Sequence, residues 1–189
     1  MIRIGILGDI GSGKSFIAKN FGYPVFNADY EVSKLYKKSK KTFLNLNKVM
    51  PGYIVSYPIK KKEISKAILS NRSNLKKIVK IVHKEIRKKM VLFLKKNKNK
   101  KIVILDIPLL LENKLNTKKD VLIFVKSGKE EIKKRLNKRK NFNKKLYKKF
   151  KKIQLPLAYK ERKSDFVIKN NFMFQSVKKD IKNILNKIL

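Results

Sequence analysis

The chain has 189 residues, 42% of them hydrophobic, which suits one folded domain with a real core and excludes a largely disordered chain. It carries 51 Lys and Arg against 13 Asp and Glu, a formal charge of +38, and it has no cysteine, so disulfides, thiolate metal sites and cysteine nucleophiles are excluded. No apolar run approaches the ~20 residues of a membrane-spanning helix, and Met1-Ile2-Arg3-Ile4-Gly5 lacks the basic and apolar regions of a secretory signal, so a cytoplasmic protein is expected.

In chain order, Ile2 to Leu7 reads as a buried strand, Gly8 to Ser15 as a glycine-rich loop, and Lys14 to Phe21 as the start of a helix. Pro24 to Phe26 is a second short strand, closed by Asn27-Ala28-Asp29. From Tyr30 to about Leu94 the pattern is mainly helical, punctuated by Pro51, Gly52 and Pro58. Lys101 to Asp106 and Val121 to Val125 are the third and fourth strands. A helix is predicted from about Lys129 to Arg139, a polar break over Asn141 to Lys145, and a further helix over Leu146 to Tyr159. Asp165 to Ile168 is a last strand and Ser176 to Leu189 an amphipathic terminal helix. Short apolar strands alternating with helices imply an α/β fold on a parallel sheet. The helical stretch between the second and third strands exceeds a simple crossover and is the natural place for an inserted substrate-binding lobe.

The charge admits two readings. A strongly basic chain suits a nucleic-acid or anionic-membrane binder. Yet Lys, Asn, Ile and Phe, all frequent here, have A/T-rich codons, and the lysines are spread over almost every polar face with no basic arm. Compositional drift accounts for such a pattern, and no basic motif interleaved with aromatics supports nucleic-acid binding.

Gly8-Asp9-Ile10-Gly11-Ser12-Gly13-Lys14-Ser15 fits G-x-x-x-x-G-K-S/T in full, between a strand and a helix. Glycines let successive backbone N–H groups turn toward phosphate oxygens, and the helix N-terminus adds a favourable partial charge. Lys14 is placed to reach the β- and γ-phosphates of ATP, and Ser15 to set its hydroxyl on Mg²⁺. No N-K-x-D guanine element follows Val125 or Ile168, and the short chain with a helical insert favours a small-molecule kinase over a GTPase or a motor. Asp29 closes the second strand, where a carboxylate either serves an attacking hydroxyl or caps the helix that begins at Tyr30. Asp106 closes the third strand, as an outer Mg²⁺ residue or a simple strand-end residue. Arg135 and Arg139 share a helix face, suiting either a phosphate-closing lid or a solvated surface. His83, the one histidine, lies in an apolar helix segment, where a satisfied, partly buried imidazole is the default.

Several segments together resemble one family, dephospho-CoA kinase. Gly5 to Ser15 resembles its G-L-T-G-G-I-G-S-G-K-S, and Phe21 to Asp29 its F-G-x-x-V-I-D-A-D. His83 sits where the family has a histidine before a proline. Asp106 to Glu112 is close to D-x-P-L-L-F-E, Arg135-Leu136 with Arg139 matches R-L-x-x-R, Gln154 and Lys160 match the Q and K that follow, and Asp165 to Asn170 is similar to A-D-x-V-I-x-N. The matches keep family order from residue 2 to about 171.

The resemblance implies a P-loop kinase fold: a five-stranded parallel core (1–29, 100–128 and 156–189), a helical coenzyme-binding lobe (30–99) and a lid (129–155). It implies an enzyme that uses ATP with Mg²⁺ to phosphorylate the ribose 3′-hydroxyl of dephospho-CoA, the last step of coenzyme A synthesis. It makes Asp29, Lys14 and Arg139 the catalytic set and Gly11, Ser12, Gly13, Lys14, Ser15, Phe16 and Asn170 the ATP site, with Asn170 near the adenine. Ser15 becomes the metal residue, and His83 with Asp29 the substrate site. Four positions depart from the pattern: Asp9 for a glycine, Phe16 for threonine, Asn27 for the first aspartate, and Lys84 for proline. Another small-molecule P-loop kinase and a nucleic-acid binder that keeps a P-loop are the competing readings.

Overall fold

The computed structural model describes residues 1–140 and 142–189, and of Arg72 the backbone alone. Five strands form one sheet: β1 (Ile2–Gly8), β2 (Val25–Asn27), β3 (Ile102–Asp106), β4 (Val121–Lys126) and β5 (Phe166–Lys169). Their order is β2-β3-β1-β4-β5, and every pairing is parallel. All five residues of β3 are buried, as are the last five of β1, which is why Ile4 to Leu7 and Ile102 to Leu105 read as apolar runs. This is the five-stranded α/β sheet expected from the sequence, with strand ends shifted by one residue in places.

The sheet's side chains divide by alternation. Ile4, Ile6, Ile102, Ile104, Ile123 and Ile168 form one cluster with Ile17 and Ala18 of α1 (Lys14–Asn20) and with Val177, Ile181 and Ile184 of α9 (Phe174–Ile188). The three α9 residues recur at helical spacing, so a single stripe of that helix covers the sheet. Because β3 and β4 flank β1 on opposite sides, the chain order reverses at β1, and the carboxyl end of that strand is where open α/β sheets place ligands.

The chain divides into two compact units: residues 1–27, 96–142 and 150–189 in the first, and 28–95 with 143–149 in the second. The second unit contains α2 (Ala28–Lys38), α3 (Lys40–Val49), α4 (Lys61–Ser70) and nearly all of α5 (Arg72–Lys96). Ser39 caps α3 by accepting from Thr42 N at 3.1 Å. Glu31 of α2 pairs with Lys89 of α5 at 3.1 Å, and burial pushes the Tyr36 phenol well above its ordinary pKa. Lys149 lies near the middle of α7 (Lys144–Lys152) and donates to the carbonyls of Ile68 at 2.5 Å and Leu69 at 3.1 Å. A cation there satisfies carbonyls at the end of α4, where the helix dipole is negative.

Two helix expectations need correction. The stretch Leu146 to Tyr159 is not one helix. It splits into α7 and α8 (Leu157–Arg162), because Pro156 has no N–H to donate and disfavours helical geometry at Leu155. The helix predicted to reach Arg139 is α6 (Lys129–Asn137), capped at Lys138, so Arg139 lies in the turn beyond it. Asn141, the start of the predicted polar break, lies outside the described residues.

Candidate active site

The end of β1 runs into a loop that closes on the first turn of α1. Gly13 stands at the N-cap in the left-handed region, φ 90°, and its carbonyl accepts from Phe16 N and Ile17 N, both at 3.0 Å. A side chain is excluded there twice: the backbone favours glycine, and an added Cβ would lie 2.4 Å from Asn170 Nδ2. Lys14 is buried, and its ammonium donates to Asp9 O at 2.7 Å and Gly8 O at 3.3 Å. The loop thus curls around its own lysine, which holds a positive charge inside the turn.

A supporting layer holds this curl in place. Ser12 is fully buried, and its carbonyl accepts from Ser127 Oγ at 2.9 Å and from Asn170 Nδ2 at 2.8 Å. Asn170 is 2% exposed; its Oδ1 accepts from Phe172 N at 2.9 Å, and its own N–H donates to Lys126 O at 2.7 Å. The Asn170 amide, expected near an adenine, thus also ties the loop to the segment after β5. Gly13→Ala is expected to cost about 1–3 kcal/mol in left-handed strain alone and to weaken ATP binding at least about tenfold. Thermal unfolding and an ATP titration check this, and an unaltered affinity would rule out the fit of Asn170 against Gly13.

At the ends of β2 and β3, Asn27 lies opposite Asp106 in register, and its Nδ2 donates to Asp106 Oδ2 at 2.5 Å. Asp106 is 3% exposed. An aspartate at 27 would set two carboxylates in that contact; the asparagine supplies a donor instead and leaves a single negative charge. Asp29 follows in the first turn of α2, where it is exposed and a carboxylate favours the helix dipole. It is a first-turn residue inside the helix, with α2 beginning one residue before it.

The predicted residues Gly11, Ser12, Gly13, Lys14, Ser15, Phe16 and Asn170 come together around this loop, with Ser15 and Phe16 exposed on the first turn of α1. Asp29 and His83, the latter half-buried in α5, belong to the helical unit. Of the two arginines, Arg135 stacks its guanidinium 4.1 Å above the ring of Phe172. Arg139 is exposed. Two of the ionic contacts that sequence reasoning missed bear on the site's surroundings. Lys151 Nζ lies 2.5 Å from Asp9 Oδ2 on the loop. Lys160, 1% exposed, pairs with Glu112 at 2.6 Å, and the same Glu112 oxygen accepts from Leu155 N at 2.9 Å. Both glutamate and lysine stood in recognised motifs, but no local signal joined them.

A parallel sheet, a strand–loop–helix anion cradle with a buried lysine, and a helical insert after β2 define a P-loop kinase. The comparisons with known proteins narrow the class. The sequence pattern of the dephospho-CoA kinase family matches residues 2–175. A dephospho-CoA kinase of Wolbachia sp. subsp. Brugia malayi is 35% identical, across 98% of this chain and 97% of that one. That of Wolbachia pipientis wMel is 33% identical with the same coverage. Among solved structures, TT1252 from Thermus thermophilus superposes with a TM-score of 0.77 at 25% identity, covering 100% of this chain and 98% of its own. The dephospho-CoA kinase of Campylobacter jejuni shares the fold, with a TM-score of 0.66 at 21% identity, over 98% of this chain and 96% of that one. The chain belongs to the dephospho-CoA kinase family and is an ATP-dependent kinase.

Proposed function

We propose a division of labour among these residues for the reaction that gives the family its name. In that reaction ATP phosphorylates the ribose 3′-hydroxyl of dephospho-coenzyme A, giving coenzyme A and ADP, the last step of coenzyme A synthesis from pantothenate. The observation that carries the reading is the Lys14 ammonium, buried and held on Gly8 O and Asp9 O inside the glycine loop. A triphosphate bound at the loop meets a fixed cation and the amides of Gly11 to Phe16, so charge developing on the transferred phosphoryl group is stabilised with little rearrangement. Asn170 contributes to ATP binding through the loop, by holding Ser12 and the space over Gly13.

Asp29 accepts or orients the proton of the attacking hydroxyl, which leaves as the new phosphate ester forms. Arg139 adds positive charge to the phosphates, and His83 belongs to the coenzyme side of the site. Segment 129–155 acts as the lid over the nucleotide, and helices from residue 30 onward grip the coenzyme. Mg²⁺ is the accompanying metal. The donors fit a hard cation: the Ser15 hydroxyl is exposed on the first turn of α1, and Asp106 offers a carboxylate at the end of β3. When bound with ATP, the ion neutralises phosphate charge. The lysine excess is read as compositional, with no nucleic-acid partner, and the site of action as cytoplasmic. Among the described residues no helix is long and apolar enough to cross a membrane.

A coupled assay with ATP and a panel of acceptors tests the substrate. Dephospho-CoA should be preferred, and nucleosides or nucleotides outcompeting it would overturn the assignment. Asp29→Asn is expected to lower kcat by about 10² or more. Its exposed position predicts an unchanged circular-dichroism spectrum. An Asp29→Asn enzyme with undiminished turnover would remove the carboxylate from the mechanism.

A further inference from the structure

The phosphate loop of this chain carries a carboxylate of its own. Asp9 occupies a position where the family pattern has glycine, and its backbone carbonyl is the nearer of the two that hold Lys14. Its side chain turns back onto the loop: Oδ1 accepts from Ile10 N at 2.7 Å. The amide just before the cradle is thereby already occupied by an anion. An acidic group at the rim of a site for a polyanion opposes binding through like-charge repulsion, more strongly as the site is desolvated. The Asp9 side chain is only 14% exposed, so solvent screens it weakly. Lys151, in the last turn of α7, places its ammonium 2.5 Å from the other oxygen, Oδ2. Asp9 and Lys151 lie in the same compact unit, so their contact belongs to one body.

We propose that Lys151 is a positioning residue for nucleotide binding: it neutralises Asp9 on the rim of the phosphate loop and keeps the cradle attractive to a triphosphate. Lys151 acts through Asp9, not by touching the nucleotide. A carboxylate in the loop is offset by a cation from a helix distant in the chain. The inference rests on the reading of residues 8–15 as the ATP site.

The test is a double-mutant cycle with Lys151→Met and Asp9→Asn, reading the Kd of Mg·ATP by calorimetry together with KM and kcat. Lys151 is 37% exposed, and Asp9→Asn keeps an acceptor for Ile10 N, so both variants are expected to fold. Lys151→Met should weaken ATP binding about tenfold, with kcat changed less than about twofold. Lys151→Arg should keep wild-type affinity. Adding Asp9→Asn to Lys151→Met should restore the wild-type Kd. The defect of Lys151→Met should also shrink as salt is raised, because screening weakens the uncompensated charge. An unchanged Kd in Lys151→Met, or an equal loss in the Asp9→Asn background, would overturn the inference while leaving the ATP site intact. Failure of the unmodified protein to bind Mg·ATP would overturn the underlying reading as well, and is seen without any variant.

Discussion

Lys160→Met is expected to lower the unfolding free energy by about 3–5 kcal/mol, the cost of leaving a buried charge without its partner. Lys160 has 1% of its side chain exposed and Glu112 10%, so water cannot take over the lysine's role. One glutamate oxygen receives both the Lys160 ammonium and Leu155 N, while the other, Oε2, is buried with no hydrogen-bond partner among the described residues. Removal of the lysine leaves a carboxylate with a single backbone donor in a dry setting. For a protein of this size the loss corresponds to a fall in thermal midpoint of about 10 °C. Chemical denaturation of Lys160→Met, Glu112→Met and the double variant measures it. Each single change should be costly and the double change much less so, because replacing both ions with apolar groups removes the stranded charge. A single variant losing less than about 1 kcal/mol would show that the pair contributes no more than a surface ion pair.

Lys14→Ala should leave the fold in place and reduce kcat by about 10²–10³-fold. That is the scale of removing one fixed donor from a transition state whose charge it stabilises. The ammonium bridges two carbonyls of its own loop, Gly8 O and Asp9 O, so its loss also loosens the curl that it fills. Two readouts separate these effects. A drop in kcat with an unchanged unfolding midpoint assigns Lys14 to phosphoryl transfer, whereas a fall in ATP affinity alone assigns it to binding. Wild-type turnover in Lys14→Ala would remove the lysine from the reaction.

Much of the fold was legible because the chemistry of its parts is local. β1 and β3 are buried on both faces, so they show up as apolar runs without any knowledge of their neighbours. The phosphate loop is a contiguous motif, and Gly13, Lys14 and Ser15 act through their own backbone and the adjacent helix. The break between α7 and α8 was also local, at Pro156. The apolar spacing of Leu146, Phe150, Ile153 and Leu157 hid it, since that spacing continues across the proline. What stayed hidden depends on residues far apart in the chain. The place of Asn170 after the last strand was readable, but its bond to Ser12 O was not, because it joins the two ends of the sheet-bearing unit. The contacts of Asp9 with Lys151 and of Glu112 with Lys160 were equally invisible, since nothing local selects one lysine from so many. Asn27 looked like a lost carboxylate, and only the register with Asp106 reveals it as a donor.

The grip of Lys149 on the end of α4 bears on how the helical unit can be handled. A fragment cut from residues 28–95 would carry α4 but not the cation that satisfies the carbonyls of Ile68 and Leu69. That piece is therefore not a portable module. Grafting it elsewhere, or expressing it separately, calls for segment 143–149 to be spliced back in, as a tether or as an added peptide.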